Sequence, residues 1–202
     1  VGVVTDLDHA EAHRAMISLR AEIHYRERTL AAVSAGDISE LKHEIQLGRL
    51  MVIVDEYRAL LDAFPEMLNT FIDLAARGRS LGIHLVLSSQ RVGGALGDAL
   101  LANCALRVGF RVSQKHDSQA LLGNDAACAL PHIPGRAVLT GTGLEQREFQ
   151  SAQLTEQDIE VVEAKTDQWL QQNPRWSPRS PWLPPLPSVI HAVEMPKHIE
   201  AV

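Results

Sequence analysis

The sequence predicts an α/β domain built on a largely parallel sheet. Apolar runs of strand length lie at 50–54, 83–89 and 105–112, and stretches with helical periodicity separate them. The run at 83–89 is rich in branched residues, as in a strand that is buried on both faces. Strands that alternate with helices are typical of a parallel sheet covered by helices.

The first half of the chain is expected to hold a short strand, a long helix and two further strands. "VGVV" at the start has strand character, and the helical pattern then runs from His9 to about Val33, where Gly36 ends it. Residues 37–48 are ambiguous. Helical character resumes around Tyr57 and over 66–76, and Gly78 and Gly82 are expected to stop it. The apolar positions of the first helix recur at spacings of three, four and seven: Ala12, Met16, Leu19, Ile23 and Leu30.

The second half predicts a loop with glycines at 92–97, a short helix near 98–104 and a strand at 105–112. Two short helices fit 115–122 and 125–130. "GRAVLTGTGLEQREFQSAQL" predicts two strands joined by a tight turn at 140–143. A last helix is predicted from Thr155 to about Gln172, and Asp158 completes a capping box with Thr155.

Composition limits the classes of protein that the chain can belong to. The net charge is −6 and 46% of the residues are hydrophobic, which disfavours a general nucleic-acid binder and allows a sizeable core. No apolar run approaches ~18 residues, so no transmembrane helix is expected, and no signal peptide is recognisable. The chain starts with valine inside a strand-like run, so it is expected to be part of a longer protein.

Prolines divide the chain into two regions. Seven of the ten prolines lie between Pro174 and Pro196. Residues 173–202 are therefore predicted to be an extended, proline-rich linker or tail. The alternative is a docking strip that packs Trp176 and Trp182 onto a neighbour.

Two adjacent carboxylates, Asp55 and Glu56, follow the apolar strand 50–54. In P-loop NTPases an aspartate at this place, the Walker B residue, holds the water shell of Mg²⁺, and a following glutamate acts as general base. The next strand ends in Ser88, Ser89 and Gln90, and Gln90 is placed to contact a γ-phosphate or orient the attacking water. An accidental strand exit followed by a helix cap is the alternative for Asp55 and Glu56.

Four stretches resemble, in order and spacing, the FtsK/SpoIIIE family of ring-forming motor ATPases, and most closely its EccC branch from type VII (ESX) secretion. They are "LMVIVDEYRALL", "ARGRSLGIHLVLSSQR", "CALRVGFRVSQKHDSQALLG" and "ALPHIPGRAVL". The opening 27 residues and the tail "WLPPLP" resemble EccC segments as well, so the likeness covers about 1–187.

The resemblance implies a RecA-like (ASCE) P-loop NTPase domain over residues 1–172, incomplete at its N-terminal side. ATP and Mg²⁺ would be its cofactors, with Asp55 binding the metal through water and Glu56 and Gln90 acting in catalysis. Its partners would be other ATPase modules of the same chain, neighbours in a ring of hexamer type, and secreted polypeptides. It would be cytoplasmic, with any membrane association made by other parts of the full-length protein.

The phosphate-binding loop is missing from the sequence. No G-x-x-x-x-G-K-[ST] occurs, and none of the four lysines follows a glycine cradle. The family resemblance places this Walker A loop upstream of Val1, so the fragment by itself is expected to be inactive. A degenerate module that has lost ATP is the alternative. The interval 37–49 is also short for the family, which raises the question whether it is contiguous in the native chain.

Motors of this kind use an arginine from the adjacent subunit to stabilise charge on the transferred phosphoryl group. Candidates lie on the first helix and in the segment before "SLGIH": Arg14, Arg20, Arg26, Arg77 and Arg79. For each of them a surface salt bridge is the alternative role.

Three functions are weighed on this basis. The favoured one is an ATPase module of a type VII secretion motor that exports polypeptides. The others are a DNA translocase of the same family and a non-catalytic module that binds a secretion signal. The acidic balance disfavours DNA as cargo, because neutralising phosphates requires clustered Lys and Arg.

Overall fold

The computed structural model describes residues 9–41, 45, 47–90, 100–174 and 180–182. The strand predicted at the start, the glycine loop at 92–97 and Trp176 lie outside these residues. The short helix predicted near 98–104 is seen at Leu100 and Leu101.

The helices and strands follow the predicted order. The helices are α1 (His9–Ala32), α2 (Tyr57–Ala63), α3 (Met67–Leu81), α4 (Lys115–Leu122), α5 (Ala126–Ala129) and α6 (Glu156–Gln172). The strands are β1 (Leu50–Val54), β2 (Ile83–Leu87), β3 (Leu106–Phe110), β4 (Arg136–Gly141) and β5 (Leu144–Gln150). The ambiguous interval after α1 contains a short 3₁₀ helix, Ile38–Glu40. Among the helices of the described residues, none is long and apolar enough to span a bilayer.

The strands form two small sheets. β1 and β2 pair in parallel from Leu50↔Ile83 to Val54↔Leu87, whereas β3, β4 and β5 form an antiparallel sheet in that order. The predicted hairpin at 140–143 is confirmed. The molecule is thus a mixed α/β protein, and in its described part the expected parallel arrangement is limited to the pair β1–β2.

The main core lies between α1, α3 and the inner face of the parallel pair. The buried residues of this core include Met16, Leu19, Ile23, Val52, Leu61, Phe71, Leu74 and Ile83. Burying one large apolar side chain contributes about 1.5–3 kcal/mol to stability. Trp182, from the proline-rich segment, packs against this same core, so at least one residue of the expected docking strip contacts its own chain.

The outer face of the parallel pair is uncovered in the described part of the chain. Met51 is 61% exposed, Ile53 69% and Val86 44%. These side chains alternate with the buried ones, as the two-residue period of a strand requires. The strands were expected to be covered on both faces, and the described elements cover one.

Gly78 does not stop α3, as was expected from the sequence, but lies inside it. A Cβ at this position would come within 2.6 Å of the Ile83 carbonyl oxygen, so only glycine lets the helix lie this close to the first residue of β2. Gly82 does end the helix, in the left-handed conformation with φ of 70°.

A buried ion pair fastens α1 to the junction between α3 and β2. Arg26, 5% exposed, donates from Nε to Glu22 Oε1 at 2.7 Å. One of its terminal nitrogens donates to the carbonyl oxygens of Leu81 and Gly82, at 2.9 and 3.5 Å. The Gly82 carbonyl also accepts from the Leu50 N–H at 2.9 Å, so a single peptide group meets α1, β1 and the end of α3.

α6 is the exception to this packing. Its N-terminus is fixed by the predicted capping box, in which Asp158 accepts from the backbone and hydroxyl of Thr155, and these hydrogen bonds lower the pKa of Asp158. None of its 17 residues is buried. The local sequence therefore specifies the helix, while the described residues provide nothing that covers it.

Replacing Arg26 by methionine should destabilise the fold by about 3–5 kcal/mol, because the Glu22 carboxylate stays buried without its guanidinium partner. Arg28→Met, an exposed arginine on the same helix, is the control and should change stability by no more than about 0.5 kcal/mol. Urea unfolding followed by circular dichroism measures both. The double variant Glu22→Met/Arg26→Met should recover part of the loss, and equal effects of Arg26→Met and Arg28→Met would contradict the structural role.

Candidate functional site

The two strands of the parallel pair end at the same edge, and the predicted site residues follow both ends. Val54 and Leu87 are register partners, and the Ser88 N–H donates to the Val54 carbonyl at 3.0 Å. Asp55 and Glu56 therefore lie beside the segment 88–90. Open α/β sheets bind ligands at this carboxyl edge.

Ser88 is the centre of the hydrogen bonds at this edge. Its hydroxyl donates to Asp55 Oδ1, and the same carboxylate oxygen accepts from the Glu56 N–H at 3.1 Å. The Glu56 N–H also lies 3.4 Å from Ser88 Oγ, and the Tyr57 N–H donates to the Ser88 carbonyl at 3.0 Å. Oδ1 of Asp55 is thus held within the turn, while the Asp55 side chain as a whole remains exposed.

Glu56 occupies an unusual backbone conformation. Its φ of 49° and ψ of 48° are left-handed, at the residue that precedes α2. A non-glycine residue pays about 1–2 kcal/mol for this conformation, and such strain concentrates at functional sites. The Glu56 carboxylate accepts from the Gln90 N–H at 3.4 Å. Asp55, Glu56 and Gln90 therefore lie at one edge of the strand pair, where Gln90 meets Glu56 through its backbone, and their catalytic roles stay predictions.

The five arginine candidates are in four different environments. Arg26 is in the core, where its bonds to Glu22 and to the end of α3 leave it no route to a neighbouring subunit. Arg79 is exposed in the last turn of α3, and Arg14 is half-buried on α1.

Arg20 and Arg77 line a groove of about 440 Å³ between α1 and α3. Arg20 donates from Nε to Thr70 Oγ1 at 3.0 Å, and Arg77 pairs with both Asp73 and Glu27. The hydrogen bond from Arg77 lowers the pKa of Asp73. Arg77 thus has the surface salt-bridge role that was the alternative to an arginine finger.

The donor set at the carboxyl edge suits a magnesium ion better than a metal held by protein ligands alone. Within the described ranges no group of three His, Cys, Asp or Glu side chains is placed to hold a metal. Mg²⁺ keeps several waters and binds through one or two carboxylates together with substrate phosphates. The exposed carboxylate of Asp55 fits that mode. A phosphate cradle would have to come from residues other than these 202, which contain no Walker A motif.

Ser88, which organises the edge, is one of three polar residues at the end of a strand, and its sequence context does not distinguish it from Ser89. The parallel register identifies Ser88 as part of the edge, because the residue after Leu87 must face the residue after Val54.

Comparisons with known proteins point to secretion ATPases. No protein-family model matches the chain. The type VII secretion system protein EssC of Staphylococcus aureus is 32% identical over 160 residues, and the ESX secretion system protein EccC of Geobacillus thermodenitrificans is 30% identical over 162. Each match covers 75% of this chain, which spans 11% of the length of either relative.

Solved structures share the fold. The cytoplasmic domain of the Thermomonospora curvata type VII secretion ATPase EccC matches 87% of this chain with a TM-score of 0.71 and 26% identity, over 22% of its own length. The pCW3 conjugation coupling protein TcpA, solved with ATPγS, matches 78% of the chain and 49% of its own at a TM-score of 0.68. At 21% identity, that second likeness concerns the fold only.

Ser88→Ala should destabilise the protein by about 0.5–1.5 kcal/mol, the net contribution of a typical hydrogen bond, because water competes for these exposed groups. Ser88→Thr keeps a hydroxyl and should recover part of the loss. The control is Ser80→Ala, since that hydroxyl donates to a carbonyl of its own helix. Chemical unfolding of the three variants gives the values, and a Ser88→Ala effect no larger than that of Ser80→Ala would mean that the hydroxyl does not hold Asp55.

Proposed function

We propose that this chain, a homologue of the EssC and EccC type VII secretion ATPases over most of its length, forms part of one ATPase module of a secretion motor. The observation that carries the proposal is the meeting of Asp55, Glu56 and Gln90 at the carboxyl edge of a parallel strand pair. These are the side chains that the hydrolytic half of a P-loop site requires.

The finer fold in this proposal is a RecA-like P-loop domain with a mostly parallel central sheet. The uncovered outer face formed by Met51, Ile53 and Val86 supports it, because apolar strand faces of this kind are normally covered in α/β domains. The strand and loop that hold the phosphates would precede residue 1 in the full-length protein. Residues 173–202 would then be the linker to the next module.

The chemistry of the site follows from the environments of its residues. Bound Mg²⁺ would neutralise charge on the phosphates of ATP, and Asp55 would hold it through water. Glu56 would accept a proton from the attacking water as general base, a role worth typically 10²–10⁴-fold in rate. The backbone contact from Gln90 orients the Glu56 carboxylate, and the Ser88 hydroxyl orients that of Asp55.

The proposed function also includes a ring assembly and a polypeptide cargo. We place the module in a ring, of hexamer type, with other ATPase modules of the same chain and its neighbours. The motor would move secreted polypeptides from the cytoplasm, and contact with the membrane would be made by other parts of the protein. Arg14, Arg20 and Arg79 remain candidates for the arginine that reaches a neighbouring site, because each is at least partly exposed.

A DNA translocase is the second candidate. TcpA, a conjugation coupling protein, shares this fold, so the architecture alone does not separate the two cargoes. The net charge of −6 favours a polypeptide, since a DNA motor must neutralise phosphates. A degenerate module that only binds a secretion signal would differ from both in binding no ATP.

In the full-length protein, Glu56→Gln should retain ATP binding and lose hydrolysis by on the order of 10²-fold or more, because a general base is removed. Nucleotide affinity is measured by fluorescence titration and turnover by phosphate release. Glu66→Gln, an exposed glutamate ten residues further on, is the matched control and should hydrolyse ATP normally.

Two results would contradict the assignment in different ways. Unchanged turnover in Glu56→Gln would remove Glu56 from catalysis in this module. Wild-type protein that binds no ATP at this module would favour the degenerate, signal-binding alternative.

The cargo is tested by the anisotropy of labelled duplex DNA at low and moderate salt. The chain should show weak binding at micromolar protein with little salt dependence, because its net charge of −6 opposes association with the DNA phosphates. Tight binding that weakens by decades over the same salt range would place the DNA translocase first.

A further inference from the structure

The uncovered helix α6 has the pattern of a docking element. With 3.6 residues per turn, five of its side chains fall within an arc of roughly 100°. These side chains form the apolar stripe of α6: Ile159, Val162, Thr166, Trp169 and Leu170. Val161 lies outside this arc. A 17-residue helix containing several β-branched and aromatic residues is marginal by itself in water, so a covered stripe is expected to stabilise it.

Carboxylates run along one side of this stripe at spacings of four, three and four residues. They form the acidic flank of α6: Glu156, Glu160, Glu163 and Asp167. Asp158 and Lys165 lie on the other side of the stripe. A helix with this pattern fits a partner surface that is apolar in the middle and basic at its edge.

The outer face of α1 has these properties. Ala10, Ile17 and Ala21 form a small apolar strip along the middle of the helix, and Ile17 is 50% exposed. Small residues let a second helix approach to the usual interaxial distance of about 8–10 Å. Large side chains on α6 would thus meet small ones on α1.

The charges around this strip are mainly positive. Arg28 is exposed on the outer face of α1 and Arg14 is half-buried there, while Arg20 is exposed at the edge toward α3, where it donates to Thr70. Of the acidic residues on this side, Glu27 is paired with Arg77 and His24, and Glu11 lies near the start of the helix. The flanks of α1 and α6 are therefore complementary in charge.

We propose that α6 of one copy of this module docks on the outer face of α1 of a second copy. Within one copy α6 buries no residue and Ile17 remains half-exposed, so the two surfaces do not cover each other. The contact joins two different surfaces, which makes it a head-to-tail interface that closes into a ring or grows into a filament. It supplies a surface for the proposed ring but needs no nucleotide.

One such contact is small, because a helix of 17 residues is only about 25 Å long. It lies below the area of stable interfaces, so association of the isolated chain should be weak, with a Kd on the order of 10–100 µM. Sedimentation velocity without nucleotide, over a concentration series, measures it. The absence of nucleotide separates this test from the proposed ATPase activity.

A matched pair of substitutions tests the stripe. Val162→Glu places a charge on the apolar stripe and should weaken self-association at least tenfold, whereas Val161→Glu on the other side of the same helix should change it less than twofold. Val161 and Val162 are 47% and 59% exposed, so neither substitution enters a core. Equal effects of the two variants, or a wild-type chain that stays monomeric throughout the series, would overturn the proposal.

Mixing two variants tests the head-to-tail pairing. Ile17→Glu should also abolish self-association, since it spoils the α1 face. An equimolar mixture of the Ile17→Glu and Val162→Glu chains keeps one intact surface of each kind and should form a heterodimer but no larger species. Self-association of Ile17→Glu at the wild-type level, or no heterodimer in the mixture, would show that α6 docks elsewhere.

Discussion

The buried guanidinium of Arg26 is the interaction on which the arrangement of the main core depends. A charge in this position is tolerated only because Glu22 neutralises it and two carbonyl groups accept its remaining hydrogen bonds. Those carbonyls are those of Leu81 and Gly82, the last residues before β2. The Gly82 carbonyl also accepts the hydrogen bond from Leu50, the first residue of β1. The start of the parallel pair is thus fixed from α1, and with it the register that brings the two strand ends together.

The geometry of the carboxyl edge follows from this register. With Val54 opposite Leu87, the next residue on β2 meets the turn that leaves β1, and Ser88 bonds there to both backbone and side chain. The left-handed conformation of Glu56 is held by these neighbours, since its own preference opposes it. The site therefore depends on the pairing of two strands that are separated in sequence by the 28 residues 55–82.

Periodicity and capping predicted most of the elements, because these signals are local. The boundaries of α1 and β1, the hairpin at 140–143 and the capping box of Thr155 follow from residues close in sequence. Gly78 was misjudged because its function is to avoid a clash with a carbonyl beyond the end of its helix.

Features that depend on distant contacts could not be predicted in this way. The sequence predicts a surface position for Arg26. The only local indication that it is buried is the opposite charge of Glu22, four residues earlier on the same helix face. The shared position of Asp55, Glu56 and Gln90 at one edge could be predicted because strand ends can be recognised in sequence, whereas the contacts of Ser88 depend on the register. The extent of parallel pairing depends on which strands become neighbours, and among the described residues β3 pairs with β4 and not with β1 or β2.

The backbone of Glu56 has a consequence for engineering and for evolution. The left-handed backbone conformation is most favourable for glycine or asparagine. Selection of variants for thermal stability alone would therefore tend to replace Glu56 and remove its carboxylate. Keeping a glutamate there costs about 1–2 kcal/mol of backbone strain, which selection for the proposed role of the carboxylate would offset. If stabilised variants retained glutamate at this position, that would therefore support a functional role for its carboxylate, because folding by itself disfavours the residue.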